Sequence, residues 1–264
     1  MKEIFFLNGL PRAGNTVFSS IMNQNPNVAA TANSICADMM GELFTLKHTD
    51  IFKNYPDHKS FDNVAKTVFE NYYKDWKEDY IIDRAPWGYP INLKFLKETK
   101  PNIKIIVLVR DIIEVLGSFI DWSNREPTSF VNQYAAKTVE EKCDMLMNKE
   151  GQIVKELIGI KHLIDHQPKE IYHIIKFNDL VKNTENTIDG VYNFLGIPKF
   201  KHDFNNIGQF KVNDMGYDDT IVGNGLHTLT TGAISNYKEK YDAYSIIPKS
   251  IIEKYKQCNF WEEI

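Results

Sequence analysis

Ile103-Lys104-Ile105-Ile106-Val107-Leu108-Val109 is the stretch that leaves this chain the fewest ways to fold. A near-continuous run of β-branched residues predicts a strand buried on both faces, the environment of a central strand in a parallel sheet. Such a sheet needs helices over both faces and crossover connections between its strands. The rest of the chain supplies both. Ile4 to Leu7, Tyr80 to Ile82 and Ile171 to Ile175 read as further short strands. Between them, helical spacing predicts helices over Val17 to Met22, Ile35 to Leu46, Phe61 to Trp76, Pro90 to Lys97, Ile112 to Phe119, Val139 to Ile164 and Thr184 to Leu195, with a last one from Pro248 to Tyr255. Lys100-Pro101-Asn102 reads as a turn, and Gly196 with Pro198 stops the helix before them. No internal repeat or linker interrupts the alternation. The expected fold class is α/β: one domain over residues 1–264, a parallel β-sheet flanked by helices on both faces.

The 264 residues suffice for such a core, and 43% hydrophobic content fills it. A net charge of −4 argues against a general nucleic-acid binder, which needs a basic face. Cys36, Cys143 and Cys258 are odd in number and far apart, so neither a disulfide framework nor a paired-cysteine metal site is expected. No apolar run reaches the ~18 residues of a membrane span, and no signal-peptide pattern or N-x-[ST] acceptor is present. The expectation is a cytoplasmic protein without membrane attachment.

The first strand runs into Asn8-Gly9-Leu10-Pro11-Arg12-Ala13-Gly14-Asn15-Thr16 and then a helix. A loop of this kind presents backbone N–H groups at a helix N-terminus, where unsatisfied donors and the helix dipole favour an anion. Arg12 adds a planar fork for phosphate-type oxygens, Gly14 allows close backbone approach, and Asn15 and Thr16 add polar contacts. Read as G-x-x-x-x-G-K-[ST], the loop has Asn15 where the lysine belongs, which counts against an ordinary ATPase or GTPase. A second candidate anion site follows the central strand: Arg110 at its tip, Asp111 as a helix cap, and Ser118 beside Gly117. Asp83-Arg84 stands at a third strand tip, where ligands of open α/β sheets bind; a local ion pair holding the turn before Pro86 is the plainer reading. His173, inside a strand, reads as packed. Gly216 to Gly232 carries four glycines around Gly223-Asn224-Gly225-Leu226-His227-Thr228 and reads as a loop over the ligand.

With both anion sites in view, the chain resembles the sulfotransferases that use 3′-phosphoadenosine-5′-phosphosulfate (PAPS). Leu10 to Thr16 is similar to the family's 5′-phosphosulfate loop in its Pro-Arg form, and Val109-Arg110-Asp111 through Ser118 to its 3′-phosphate motif. Phe177-Asn178-Asp179-Leu180 stands where the family often has Tyr-Glu-Asp-Leu, and Phe194-Leu195-Gly196 repeats a common ending. The resemblance implies a P-loop-like sulfotransferase fold and transfer of a sulfuryl group from PAPS to a hydroxyl or amine, releasing 3′-phosphoadenosine-5′-phosphate (PAP). It implies that Arg12, Ala13, Gly14, Asn15 and Thr16 bind the 5′-phosphate, that Arg12 also steadies the leaving oxygen, and that Arg110 and Ser118 bind the 3′-phosphate. No metal is required, and no metal-ligand cluster is visible in the sequence.

Four positions depart from the family pattern. Phe177 replaces a tyrosine, Val17 a tryptophan, Asp83-Arg84-Ala85-Pro86 stands where cytosolic members carry a catalytic histidine, and Asn33 stands where members acting on protein tyrosines have glutamate. Asp83, tuned by Arg84, is the first candidate for general base and His227 the second. The acceptor is expected to be a small molecule or carbohydrate, in a pocket containing Met39, Met40, Phe44, Trp87 and Tyr89. Two alternatives stay open: a P-loop small-molecule kinase, which needs a loop lysine and acidic residues for Mg²⁺, and a non-catalytic PAP- or nucleotide-binding protein.

Overall fold

The computed structural model describes residues 2–100, 102–133, 135–149, 151–237 and 242–264. Five strands, β1 (Glu3–Gly9), β2 (Val28–Asn33), β3 (Tyr80–Arg84), β4 (Ile105–Val109) and β5 (Tyr172–Lys176), form one parallel sheet in the order β2-β3-β1-β4-β5. β1 is central, with Phe6 opposite both Asp83 of β3 and Ile105 of β4. Phe6, Leu7 and every residue of β4 are buried, the environment that the β-branched run predicts. The chain lays β2 and β3 on one side of β1 and then crosses to β4 and β5 on the other. The switch point therefore lies between β1 and β4, and ligands of open α/β sheets bind at the carboxyl ends of such a pair.

The first half contributes helices α1 (Asn15–Met22), α2 (Cys36–Leu46), α3 (Asp50–Asn54), α4 (His58–Tyr72) and α5 (Pro90–Thr99). After β4 come α6 (Ile112–Arg125), α7 (Phe130–Gln133), α8 (Val139–Leu146) and α9 (Gln152–His166), and after β5 come α10 (Phe177–Lys182), α11 (Thr184–Leu195), α12 (Ala243–Ile246) and α13 (Lys249–Tyr255). Asp111 caps α6 as expected, accepting from the N–H groups of Ile113 at 2.8 Å and Glu114 at 3.1 Å. The C-terminal segment is tied to the same cap through Asn259, whose amide donates to Asp111 Oδ2 at 2.6 Å.

Two expectations require correction, and one strand was not foreseen. The single helix over Val139 to Ile164 is two helices: a Thr138–Glu141 capping box starts α8, and Gly151 starts α9 after a break. A side chain at Gly151 would lie 2.8 Å from the Leu146 carbonyl oxygen, so the chain turns too tightly there for a continuous helix. The helix expected from Phe61 begins at His58, because Asp57 accepts from the Ser60 N–H at 3.0 Å, and it ends at Tyr72 rather than Trp76. Strand β2 has no β-branched run to announce it. Its small residues pair with β3, while the Asn23 side chain pairs with the backbone of Ala30 on the open edge, at 2.6 and 3.0 Å. Pro101 of the expected turn lies outside the described residues.

Candidate active site

The loop after β1 is set by its backbone. The Leu10 N–H continues the ladder to Leu108 at 3.0 Å, Arg12 adopts φ 63°, and Gly14 adopts φ 89° as the N-cap of α1. Gly14 has a second requirement, since a Cβ there would lie 3.0 Å from the Phe177 ring. No side chain caps α1, so its first N–H groups face outward for an anion. Ala13 is fully buried and anchors the turn. Asn15 points inward: its amide donates to the Leu10 carbonyl at 2.7 Å, and the space it fills is available because Gly9 lacks a Cβ. Its side chain thus holds the loop closed.

The two anion motifs meet. Arg12 Nε donates to Ser118 Oγ at 3.0 Å across a separation of 106 residues, and Arg110 Nη1 donates to the Arg12 carbonyl at 3.1 Å. Arg110 is buried, ion-paired to Glu114 one helical turn on at 3.0 Å, with its guanidinium 4.3 Å from the centre of the Phe177 ring. Arg12, Gly14, Thr16, Arg110, Ser118 and Phe177 line one cavity of about 130 Å³ with residues of the Leu226–Leu229 segment. That volume is below the ~300 Å³ at which small-molecule pockets start. The reason is the glycine-rich segment lying across the loop, where Arg12 Nη1 donates to the Leu226 carbonyl. Gly223 and Gly225, both with positive φ, turn the chain there.

The two expected bases sit in different surroundings. Asp83 is fully buried, and its carboxylate accepts from Ser34 Oγ at 2.8 Å, Trp87 Nε1 at 2.8 Å and the Tyr73 hydroxyl. Burial raises its pKa, and those hydrogen bonds pull it back. Arg84 does not tune it: that guanidinium donates to Asn33 Oδ1 and, at 3.4 Å, to the Tyr217 hydroxyl. His227 lines the cavity beside Arg12. Burial lowers its pKa, the charges of Arg84 and Arg12 lower it further, and Asp219 opposes them.

Glu156 of α9 carries no signal in the sequence. Its Oε2 is buried and has no hydrogen-bond partner among the described residues, beside the Asn8 side chain at the tip of β1. Burial raises its pKa to about 7, against the charge of Arg84.

The sulfotransferase family model matches residues 5–202, three quarters of the chain, including both anion motifs. The chain belongs to the sulfotransferase family. Among solved structures it is similar to mouse sulfotransferase SULT7A1 complexed with PAP, with a TM-score of 0.57 and 12% identity over 98% of this chain and 83% of that one. The sulfotransferase domain of the Synechococcus PCC 7002 olefin synthase gives 0.54 and 12% over 97% and 94%. The sulfotransferase domain from the curacin biosynthetic pathway gives 0.51 and 17% over 97% and 91%. These likenesses show the fold. No curated protein matches in sequence.

Within this sulfotransferase two of the four departures, Phe177 and Asn33, have structural explanations. Phe177 loses a tyrosine hydroxyl but keeps the aromatic face on which Arg110 lies. Asn33 serves as an anchor for Arg84. The expected acceptor residues do not share one wall. Trp87 is fully buried beneath Asp83, and Met39 is exposed, whereas Met40 and Phe44 meet Leu43 and Phe95 in a separate cavity of about 290 Å³ that Lys47, Asp62, Lys66 and Glu98 also line. Among the described residues no His/Cys/Asp/Glu group forms a metal-binding cluster, and no helix is long and apolar enough to cross a membrane.

Proposed function

We propose that this sulfotransferase moves a sulfuryl group from PAPS to a hydroxyl or amine of a small-molecule or carbohydrate acceptor, releasing PAP. The observation that carries the reading is the Arg12–Ser118 hydrogen bond at 3.0 Å, with Arg110 bound to the Arg12 carbonyl. It joins the 5′- and 3′-phosphate motifs into one cationic site at the switch point of the sheet. The residues fit the nucleotide: an uncapped helix N-terminus and Arg12 for the 5′-phosphate, Arg110 and Ser118 for the 3′-phosphate. When bound, PAPS supplies the sulfuryl group, the acceptor atom bonding to sulfur as the bond to the 5′-phosphate breaks and one proton is released.

Arg12 and the N–H groups of Gly14, Asn15 and Thr16 stabilise the charge that grows on the departing phosphate, while the Ala13 N–H donates to the Leu10 carbonyl at 3.1 Å and closes the loop. His227 takes the acceptor's proton, and Asp83, closed off by three donors, holds the strand tips together. Free thiols at Cys36, Cys143 and Cys258 support a reducing, cytoplasmic setting. The kinase reading is disfavoured by Asn15, which stands where the loop lysine belongs and is turned inward.

Thermal unfolding with PAP, against ATP plus Mg²⁺, tests this. A ligand of the folded state at about 100 times its Kd adds ~2.7 kcal/mol. Stabilisation by PAP is expected; stabilisation by ATP and Mg²⁺ alone would favour the kinase. PAP binding without turnover on any acceptor would favour a non-catalytic binder.

A further inference from the structure

We propose that Asp219 is the positioning residue that makes His227 the base, by holding its imidazole with the proton on Nδ1 and the lone pair of Nε2 free for the acceptor. The inference rests on the PAPS-dependent reading above. Its geometry stands on two contacts from one carboxylate. Asp219 Oδ1 lies 2.5 Å from His227 Nδ1, and Oδ2 accepts from the His227 backbone N–H at 2.8 Å. An ionised carboxylate accepts hydrogen bonds and donates none, so Nδ1 is the protonated nitrogen and Nε2 the basic one. The clamp fixes the residue at its backbone and its ring together.

Neighbouring groups restrict the imidazole further. Tyr217 stacks on it with ring centres 3.8 Å apart and planes 7° from parallel. The Tyr217 hydroxyl accepts from Arg84 at 3.4 Å, which links the ring to the tip of β3. The charged and titratable groups acting on His227 are thus Asp219, Arg84 and Arg12, with Tyr217 across its face. Two of the three charges are cations that weaken the base. Asp219 is the anion that opposes them, and both its oxygens are committed to His227. The proton taken from the acceptor resides on Nε2, the resulting imidazolium is stabilised through Nδ1 by the Asp219 carboxylate, and the proton then passes to solvent.

The dyad is built by the glycine-rich segment. Asp219 opens a single helical turn, Asp219–Ile221, and its carbonyl accepts from the Gly223 N–H at 2.9 Å. Gly223 and Gly225, at φ 116° and 77°, reverse the chain so that residue 227 returns to residue 219. A Cβ at Gly223 would lie 2.6 Å from Ser129 Cα, so the reversal is packed against the body of the protein.

The decisive test reads nitrogen chemical shifts of the His227 ring in the ¹⁵N-labelled protein and in Asp219→Asn, together with PAPS hydrolysis, in which water takes the acceptor's place. In the unaltered protein Nδ1 is expected to be protonated and Nε2 unprotonated above the imidazole pKa. In Asp219→Asn the amide can donate to Nδ1, so the tautomer reverses, and PAP release falls about 100-fold, the lower end for a general base. The residual rate should reach half its maximum at lower pH, since the carboxylate that raises the imidazole pKa is gone. Asp219→Glu, which keeps the charge, should recover part of the rate. Protonation at Nε2 in the unaltered protein would overturn the assignment whether or not the variant folds. So would an unchanged rate and pH profile in an Asp219→Asn protein that PAP still stabilises. Failure of PAP to stabilise the unaltered protein would instead overturn the cofactor reading, and the role of the dyad with it.

Discussion

Asp83 and His227 are both acid–base groups near the carboxyl ends of the strands, and both are held by hydrogen bonds, but those bonds point in opposite directions. The partners of Asp83 come from the loop after β2, from the end of α4 and from Trp87, so its carboxylate joins four segments inside the protein. Among the described residues the His227 ring is tied through Nδ1 alone, to Asp219 of its own loop, which also accepts from its backbone N–H, and the ring lines the cavity shared with Arg12 and Arg110. A strand-tip carboxylate in a ligand-binding fold suggests chemistry on sequence grounds. Its burial, and the direction of its hydrogen bonds, support the architectural role proposed for Asp83.

The largest expected effect separates the two directly. His227→Gln should lower PAP release from PAPS by about 10²–10⁴-fold, the usual contribution of a general base. Asp83→Asn should change it only severalfold, and an equal loss in both variants would break the distinction. Stability should show the reverse. Asp83→Ala leaves the Ser34, Tyr73 and Trp87 donors without their acceptor and should cost about 2–4 kcal/mol in denaturant unfolding. His227→Gln, at a partly exposed loop position, should stay within about 1 kcal/mol.

Arg110→Ala sharpens the comparison from the nucleotide side. It removes a charged donor from the expected 3′-phosphate site and should weaken PAP about 10- to 100-fold in a binding titration. Neither Asp83→Asn nor Asp219→Asn should weaken PAP to that extent.

The smallest effect concerns Glu156, a third acid–base group on this edge. Burial raises its folded pKa to about 7 from an ordinary 4.5, so the folded state holds the proton more tightly than the unfolded chain does. Its contribution is therefore full below pH 4.5 and is lost as pH rises toward 7. Glu156→Gln should raise Tm by a few degrees at pH 8 and leave it nearly unchanged at pH 4. An equal shift at both pH values would show that the carboxyl is not titrating across that range.

The parts of this architecture legible in the sequence are those encoded locally. The β-branched run of β4, the Asp111 cap and the stripe of α11, whose bounds Thr184–Leu195 match the expected helix, each depend on neighbours within a few residues. The two candidate phosphate motifs are visible in residue type and spacing, and their meeting follows from strand order once β1 and β4 are adjacent. Strand β2 was not legible, because in Val-Ala-Ala-Thr-Ala-Asn only Val28 and Thr31 favour a strand, and the segment gains its ladder from β3 and Asn23. The roles proposed for Asp83 and Asp219 were equally hidden. A carboxylate looks the same in sequence whether its partners are a buried tyrosine ten residues upstream or a histidine eight residues downstream. Glu156 reads as one more charge on the solvated face of a helix until α9 is seen against β1.

Titration calorimetry with PAP tests the central claim most directly. One PAP is expected per chain, with binding weakened at least 10-fold by Arg110→Ala and unchanged in the presence of EDTA. Absence of PAP binding, or binding of ATP that depends on Mg²⁺ in its place, would contradict a PAPS site built from Arg12, Arg110 and Ser118.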